Sequence, residues 1–386
     1  MKYFFALGNH PSLSKAEIMA VFPEGQGETG QNGIFLLEVQ GKIDAKKTIK
    51  QLGGTIKIGE VIAPMKNHEI PQACLDFALE AAPNVNGKFH YGFSNYANAP
   101  IDTKKLGMTI KTALRDADYS CRWVMGKEKI LSSVIVEQNY LLDKGMEIVF
   151  LRDEPGKLFL AQTLAVQPFK ELSFRDYGRP GRDDLSGMLP PKLAQIMINL
   201  AQGEKTEPLL DPFCGSGTIL SEAMLMGYQK LVGTDISAKA ISDTKENLEW
   251  IKQNFSIKNV KTETKIISAT EINKPYKPKT FSAIVTEPYL GPQRGQHEIS
   301  KTVSELEKLY TQSLKALARI IKQNGKLVMI WPVFIGRERG QSKFFYLNPL
   351  YPDWKIVSSG NTNRQTWLYG REGQKVWREI VILQLK

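Results

Sequence analysis

The chain has 386 residues, 42% of them hydrophobic and 24% charged, and its 51 Lys and Arg against 40 Asp and Glu give a net charge of +11. This length predicts two or three globular domains, and the basic excess favours a polyanionic partner, although it would also serve solubility. The composition argues against a membrane protein, since no run approaches ~20 apolar residues, and against a disulfide framework, since the three cysteines are few, odd in number and far apart, as in a reducing cytoplasm.

The first 166 residues predict two successive small α+β units. "KYFFALG" predicts a strand rather than a signal peptide, "SLSKAEIMAVF" a helix with a serine cap, and "NGIFLLEVQG" a second strand. A joint is predicted between Pro64 and Pro71. The strand "KFHYGFSNY" and the helix "TKKLGMTIKTALRDADY" then open a second unit, followed by "SSVIVEQNYLL" and "MEIVFLRD". The predicted domains are therefore residues 1–63 and 64–166.

The second half changes character at Gln167. Residues 167–189 mix Gly, Pro and charges without a sustained period and are predicted to form a linker. Residues 190–386 alternate helical segments with the strand candidates "EPLLDPF", "KLVGTDI", "TKIIS", "FSAIVTE" and "KLVMIWP". Such alternation predicts an α/β domain with a mostly parallel, doubly wound sheet. The tail "TWLYGREGQKVWREIVILQL" predicts a hairpin at the edge of that sheet.

A glycine loop, "DPFCGSG", lies between a predicted strand and a predicted helix. Gly215 and Gly217 allow a ligand to approach bare backbone, and Asp235 follows Gly217 by 18 residues at the end of the next strand, where a carboxylate can accept both hydroxyls of a ribose. Dinucleotide enzymes and S-adenosylmethionine methyltransferases both fit this spacing. The dinucleotide fingerprint has Gly or Ala where this chain has Leu220, and Asp211 before the turn would repel a pyrophosphate but suits an ammonium or a sulfonium.

Three longer segments resemble one family. "LLDPFCGSGTILSEA" is similar to the S-adenosylmethionine loop of class I amino-methyltransferases. "FRDYGRPGRDDLSGMLPPKLAQIMINLA" and "MKYFFALGNHPSLSKAEI" resemble the linker and the opening ferredoxin-like domain of THUMP-domain tRNA guanine-N2-methyltransferases. The closest group modifies guanosine 10 of tRNA. The resemblance covers nearly the whole chain.

The resemblance implies a fold, a cofactor and the residues that hold it. The fold would be a Rossmann-like class I methyltransferase with a seven-stranded sheet, preceded by ferredoxin-like and THUMP domains, the latter binding RNA. The cofactor would be S-adenosylmethionine. The residues expected to contact it are Asp211, Pro212, Phe213, Gly215, Gly217, Thr218, Asp235, Ile236, Ser268 and Ala269. Ser268 departs from the family, which usually has an Asp there to hold the adenine amino group; Glu271 is a substitute candidate.

The stretch "TEPYLGP" occupies the place of the family's Asp-Pro-Pro-Tyr. An exocyclic guanine amine is a weak nucleophile because its lone pair is delocalised into the ring, and an acceptor oxygen on its N–H can aim that lone pair at a methyl group. The resemblance therefore implies catalytic roles for Glu287, Pro288 and Tyr289. Glu replaces Asp, one proline is missing and the aromatic comes one place early. The alternative is an ordinary strand-end turn.

Basic residues predict where RNA binds. Between Thr103 and Leu131 seven Lys and Arg stand against three acids, where the resemblance places the RNA-facing surface of a THUMP domain. The predicted RNA-binding residues are Lys104, Lys105, Lys111, Arg115 and Arg122, with Arg175 and Arg179 in the linker, although Arg179 could instead brace the domains. Pyrimidine C5 methylation is disfavoured because Cys214 is the only cysteine of the second half. The four scattered histidines predict no metal site.

The sequence thus predicts a cytoplasmic enzyme that transfers methyl from S-adenosylmethionine to the exocyclic N2 of a guanosine in tRNA. Two alternatives stay open. One is an amine methyltransferase acting on another RNA or on DNA, which the first half of the chain would distinguish. The other is a non-catalytic RNA-binding protein with a decayed methyltransferase fold, which a failure to bind S-adenosylmethionine would reveal.

Overall fold

The computed structural model describes residues 1–182, 188–292, 298–338 and 341–386, with backbone alone at 337–338 and 341–342. The chain divides into two compact units. The first contains Met1–Lys15 and Phe22–Pro168, and the second contains Ala16–Val21 and Phe169–Lys386.

The first unit is built on one eight-stranded sheet. Its strands are β1 (Lys2–Leu7), β2 (Gln26–Thr29), β3 (Ile34–Glu38), β4 (Thr55–Met65), β5 (Phe89–Asn95), β6 (Cys121–Val124), β7 (Gly145–Arg152) and β8 (Leu158–Val166). They lie in the order β2-β3-β1-β4-β8-β7-β5-β6. The helices of this half of the chain are α1 (Pro11–Val21), α2 (Ala45–Gln51), α3 (Ile70–Ala81), α4 (Thr103–Asp116) and α5 (Ser133–Gln138).

One sheet spans the predicted boundary between residues 63 and 64. That boundary falls inside β4, which pairs with β1 on one side and with β8 on the other. Both predicted α+β units therefore contribute strands to a single sheet. Alternating polar and apolar residues identify a strand, but they do not identify its neighbour, so the sequence alone did not reveal this shared sheet.

The helix α4 begins where its sequence provides a cap. The Asp102 carboxylate accepts hydrogen bonds from the backbone N–H groups of Lys104 and Lys105, each at 3.0 Å. These bonds satisfy donors that have no partner within the first turn of a helix. Leu106, Ile110 and Leu114 form the buried face, and this places the predicted basic residues on the remaining faces.

The second unit has the predicted doubly wound α/β fold. Its strands are β9 (Pro208–Asp211), β10 (Lys230–Asp235), β11 (Lys261–Ile266), β12 (Phe281–Thr286), β13 (Ile321–Glu338), β14 (Gln341–Tyr346), β15 (Trp354–Ile356), β16 (Trp367–Tyr369) and β17 (Val376–Leu385). Seven form the main path, in the order β11-β10-β9-β12-β13-β17-β15, while β14 pairs with β13 and β16 with β17. The sheet therefore has the predicted seven strands on its main path and two further strands, β14 and β16. The predicted C-terminal hairpin is formed by β16 and β17.

Parallel pairing determines where a ligand can bind in this sheet. Strands β9 to β13 pair in parallel, and the strand order reverses between β9 and β12. In doubly wound sheets the loops diverge at such a reversal and leave a crevice beyond the carboxyl ends of the two strands.

The helices of this half of the chain are α6 (Phe169–Tyr177), α7 (Pro191–Ala201), α8 (Thr218–Leu225), α9 (Ala238–Asn254) and α10 (Ile299–Leu317). The helix α6 lies inside the segment predicted to be an irregular linker.

Candidate active site

Two carboxylates meet at the point where the strand order reverses. Asp211 is the last residue of β9 and Glu287 follows Thr286, the last residue of β12. The Thr286 hydroxyl donates a hydrogen bond of 2.7 Å to Asp211 Oδ1 and so joins the ends of the two strands. The crevice is therefore lined by the acid of the glycine loop and by the acid of the "TEPYLGP" segment.

Burial changes the protonation of Asp211. Its side chain is 2% exposed, and loss of hydration raises the pKa of the carboxyl to about 7. Hydrogen bonds from Thr286 and from the backbone N–H of Phe213 oppose this rise, while the negative charges of Asp235 and Glu287 add to it. A carboxyl in this setting gains most from a nearby cation that restores its ionised form.

The glycine loop has the tight geometry that its sequence predicts. Gly215 and Gly217 have φ values of +51° and +83°, a region that side chains with a Cβ rarely occupy. A Cβ on Gly217 would lie 3.0 Å from Thr244 Cγ2, whereas a Cβ on Gly215 would meet open space. The backbone at Gly215 is thus exposed to an approaching ligand, and Gly217 is held against α9.

Two polar residues of α9 fix this loop, and the sequence analysis did not identify them. Thr244 Oγ1 donates to the carbonyl of Gly215 at 2.7 Å, and Asn247 Nδ2 donates to the carbonyl of Ser216 at 2.7 Å. Asn247 also exchanges two hydrogen bonds with the backbone of Gly181. Helical spacing identifies the buried face of α9, but no local pattern distinguishes a loop-supporting Asn from an ordinary polar residue.

Asp235 at the end of β10 binds the loop as well. Its Oδ2 accepts from Gly215 N at 3.1 Å, and its Oδ1 accepts from Ser237 N at 2.9 Å. Each carboxylate oxygen can accept a further hydrogen bond. Ile236 beside it is 75% exposed, an apolar surface next to the acid. Ser268 begins a short 3₁₀ turn that contains the buried Ala269, and its hydroxyl accepts from Thr270 N.

Glu287 has a cationic partner that the sequence analysis did not identify. Arg378 Nε, from β17, donates to Glu287 Oε1 at 2.6 Å, and the two side chains are 14% and 13% exposed. Burial raises the pKa of Glu287, and the charge and hydrogen bond of Arg378 oppose that rise. The two residues are 91 positions apart in the chain. No sequence motif connects them.

The turn after β12 is supported from α10. Tyr310 is fully buried, and its hydroxyl donates to the main-chain carbonyl of Tyr289 at 3.0 Å. Pro288 is buried, while the Tyr289 ring is 57% exposed. This arrangement leaves an aromatic face in solvent next to the carboxylate pair of the crevice.

The structure corrects the predicted RNA contacts of Arg175 and Arg179. Both are buried, at 5% and 6% exposure. Arg175 forms a two-point ion pair with Glu222 of α8, with distances of 2.7 and 3.1 Å, and Arg179 Nη1 donates to the hydroxyl of Thr218. These bonds attach residues 169–181 to α8, and burial makes both side chains inaccessible to RNA.

The predicted RNA-binding residues of the first unit are accessible. Lys104, Lys105, Arg115 and Arg122 are exposed, and Lys111 is half-buried. A cavity of about 460 Å³ lies next to the start of α4, lined by Lys104, Lys129, Trp123 and others. His297 lies outside the described residues, and among those that the structure describes no group of His, Cys, Asp and Glu is arranged to hold a metal ion. No helix within the described ranges is long and apolar enough to cross a bilayer.

Known proteins similar to this chain include several methyltransferases. The family model RMKL-like, methyltransferase domain (UPF0020) matches residues 179–334. The tRNA (guanine(10)-N2)-dimethyltransferase of Pyrococcus abyssi is 25% identical over 86% of this chain and 88% of its own length. The "Probable tRNA (guanine(10)-N2)-dimethyltransferase" of Methanothermococcus thermolithotrophicus is 32% identical over 36% of this chain and 77% of its own length. The crystal structure of TrmN from Thermus thermophilus superposes with a TM-score of 0.51 over both whole chains at 15% identity, which supports the overall fold.

Proposed function

Because the chain belongs to the tRNA (guanine(10)-N2)-dimethyltransferase family, we propose that it transfers methyl from S-adenosylmethionine to the exocyclic N2 amine of a guanosine in tRNA, at position 10. The proposal rests on one observation. Asp211 and the "TEPY" segment lie together at the carboxyl edge of the sheet, where the Thr286 hydroxyl donates a 2.7 Å hydrogen bond to Asp211. An acid for the cofactor and an acid for the amine therefore lie in one crevice.

The residues at the glycine loop fit S-adenosylmethionine. Asp211 offers a buried carboxylate to the ammonium of the methionine part, and the open backbone at Gly215 permits close approach. Asp235 retains acceptor capacity for the ribose hydroxyls, and the exposed Ile236 offers an apolar surface to the adenine. Pro212, Phe213, Gly217 and Thr218 would form the rest of the loop contact, and Ser268 and Ala269 the adenine end.

The cofactor, when bound, would supply a methyl group already activated on a sulfonium: the methyl–sulfur bond breaks as the nitrogen–carbon bond forms, S-adenosylhomocysteine leaves, and the N2 proton is lost to solvent. Catalysis then needs mainly orientation of the amine, which the residues after β12 would provide. Glu287 accepts a hydrogen bond from an N2–H and aims the nitrogen lone pair. The exposed Tyr289 ring stacks on the guanine, and Pro288 shapes the main chain between them, which Tyr310 holds in place.

The first unit would bind the tRNA. Lys104, Lys105, Lys111, Arg115 and Arg122 lie on or next to α4, and their charges suit a phosphate backbone. We assign the ferredoxin-like and THUMP roles to residues 1–63 and 64–166, within one sheet, a linking role to 167–189 and the catalytic role to 190–386. The tRNA substrate and the three free cysteines support a cytoplasmic location.

Unmodified tRNA transcripts, S-adenosylmethionine labelled on its methyl group and nucleoside mass spectrometry test this proposal. N2-methylguanosine and N2-dimethylguanosine at position 10 are expected, and a transcript with adenosine at position 10 should remain unlabelled. Label in a different RNA or in DNA, with none in tRNA, would move the substrate to another nucleic acid. Failure to bind S-adenosylmethionine would favour the decayed methyltransferase fold.

Affinity for S-adenosylmethionine should depend on the protonation of Asp211. Its pKa of about 7 means that the carboxylate is mostly protonated at pH 6, so binding must first release that proton. We expect the affinity to rise by about fivefold from pH 6 to pH 7, and to fall above about pH 8 as the ligand's own ammonium loses its proton. Titration calorimetry across this pH range measures both the rise and the fall in affinity.

The matched control is Asp211→Asn, which keeps the shape and removes the titrating group. This variant should bind weakly at every pH and lose the rise between pH 6 and pH 7. If Asp211→Asn retained that rise, another group would be responsible and the role given to Asp211 would be wrong.

A further inference from the structure

Glu287 has a longer side chain than the Asp of its family, and it has a largely buried cationic neighbour. Its Oε1 accepts the 2.6 Å hydrogen bond from Arg378 Nε. No described residue donates a hydrogen bond to its Oε2. This oxygen is also not one of the fully buried side-chain atoms that lack a hydrogen-bond partner. Among the described residues the two oxygens of this carboxylate therefore have different environments, since Oε1 is bonded to Arg378 and Oε2 has no donor.

We infer that Arg378 is a positioning residue for methyl transfer, which holds Oε1 so that Glu287 presents an ionised Oε2 to the N–H of the guanine amine. This inference rests on the proposed function and extends it to the C-terminal strand β17. A carboxylate oxygen accepts a hydrogen bond strongly only when the group is ionised, because a protonated carboxyl turns one oxygen into a donor. The environment of Glu287 must therefore favour the ionised carboxylate.

The groups that face Glu287 show why Arg378 is needed for this. From β9 comes the carboxyl of Asp211, whose negative charge disfavours a second ionised carboxylate. From α10 comes the hydroxyl of Tyr310, which is neutral and already donates to the Tyr289 carbonyl. From β17 comes Arg378, the only cation among the described residues that opposes the effect of burial on the pKa of Glu287. Removing its charge leaves burial and a like charge, which both favour the protonated acid.

The pairing also fixes the direction of the side chain. Glu has one more rotatable bond than Asp, so an unpaired Glu287 could adopt several rotamers with Oε2 in different places. The Nε of Arg378 offers one N–H in a fixed plane, and its bond to Oε1 selects one arrangement. Misplacement of an acceptor by about 1 Å can reduce a rate by ~10²-fold.

The test compares Arg378→Met and Arg378→Lys with the wild-type protein, using tRNA and saturating S-adenosylmethionine in single turnovers from pH 6 to pH 9.5. In Arg378→Met the acid limb of the rate profile should move at least one pH unit higher. At any pH on that limb the rate should then be ~10-fold lower than in the wild-type protein, with a partial recovery at pH 9, since one pKa unit changes the ionised fraction about tenfold. Arg378→Lys should lie closer to wild type. Arg371→Met, which removes an exposed cation just before β17, is the matched control and should leave the profile unchanged.

Two measurements separate this role from simple structural support. In the double variant Glu287→Gln/Arg378→Met the rate should be no lower than in Glu287→Gln alone, because Arg378 acts through Glu287. The loss of unfolding free energy in Arg378→Met should also be larger at pH 8 than at pH 5.5. An unpaired Glu287 destabilises the folded protein when it is ionised, and it is ionised to a greater extent at the higher pH. S-adenosylmethionine binding should stay within about threefold of wild type.

The outcomes distinguish this inference from the proposed function. If wild-type protein produces methylated guanosine and the Arg378→Met profile keeps its wild-type shape, or if the two substitutions are additive, Arg378 does not position Glu287. If wild-type protein produces no methylated guanosine in any tRNA, the proposed function fails and this inference fails with it.

Discussion

Replacing Glu287 with Ala is expected to slow methyl transfer to tRNA by about 10²–10³-fold, the size of effect seen when one preorganised hydrogen-bonding group is removed from an active site. Without the carboxylate the N2–H loses its proposed acceptor, and the amine lone pair stays delocalised in the ring. The single-turnover rate, with S-adenosylmethionine and tRNA both saturating, measures this step without the binding steps.

Two controls decide whether the loss belongs to chemistry. Glu305 on α10 is an exposed acid of the same type, and Glu305→Ala should retain the wild-type rate within about twofold. Affinity for S-adenosylmethionine in Glu287→Ala should stay within a few-fold of wild type, because Asp211 and Asp235 remain. A Glu287→Ala rate within threefold of wild type would remove Glu287 from the mechanism.

Replacing Arg175 with Met is expected to lower the free energy of unfolding by about 3–5 kcal/mol, because it leaves Glu222 buried without its main cationic partner. The double variant Arg175→Met/Glu222→Met should recover most of this loss, since an apolar pair needs no compensating charge. Urea unfolding of the full chain followed by tryptophan fluorescence measures it, as all six tryptophans except Trp123 are in the second unit.

The dependence on pH distinguishes a lost ion pair from lost packing. Burial raises the pKa of Glu222 and Arg175 opposes that rise, so the pKa rises further in Arg175→Met. Above that pKa the variant folds with an ionised, unpaired Glu222, which lowers its free energy of unfolding. This loss disappears as the pH falls toward the pKa that Glu222 has in the unfolded chain, so the loss of unfolding free energy should shrink from pH 8 to pH 5. Lys239→Met, which breaks the surface pair with Asp243, should cost at most about 1 kcal/mol. A deficit independent of pH would assign the effect to packing.

The family and the second unit could be predicted from local sequence. Strand and helix periods, the glycine loop and the acid at Asp235 each depend on residues close together in the chain. The parallel order of five strands follows from alternation of strands and helices, and it places Asp211 and Glu287 at one edge. The roles given to Ser268, Glu287 and Tyr289 rest on the same local motifs and stay predictions.

The sheet shared by the segments on either side of Pro64 could not be predicted from the sequence, for a specific reason. The prolines of this region lie at the end of β4 and at the start of α3, where the helix tolerates Pro in its first turn. A proline therefore marks the end of an element as readily as the end of a domain. Only the pairing of β4 with β8, about 100 residues later, shows that both segments share a sheet.

By itself the sequence determined the charge of the chain, its elements and the order of the chemical groups along it, because these are properties of single residues and short segments. Only the tertiary structure decided which charges meet. It paired Glu287 with Arg378 across 91 positions, buried Arg175 and Arg179 against α8, and connected Asn247 to both Gly181 and the glycine loop. The physical reason is that hydration and Coulomb energy depend on distance in space, so the ionisation and partner of a side chain follow from the folded packing around it.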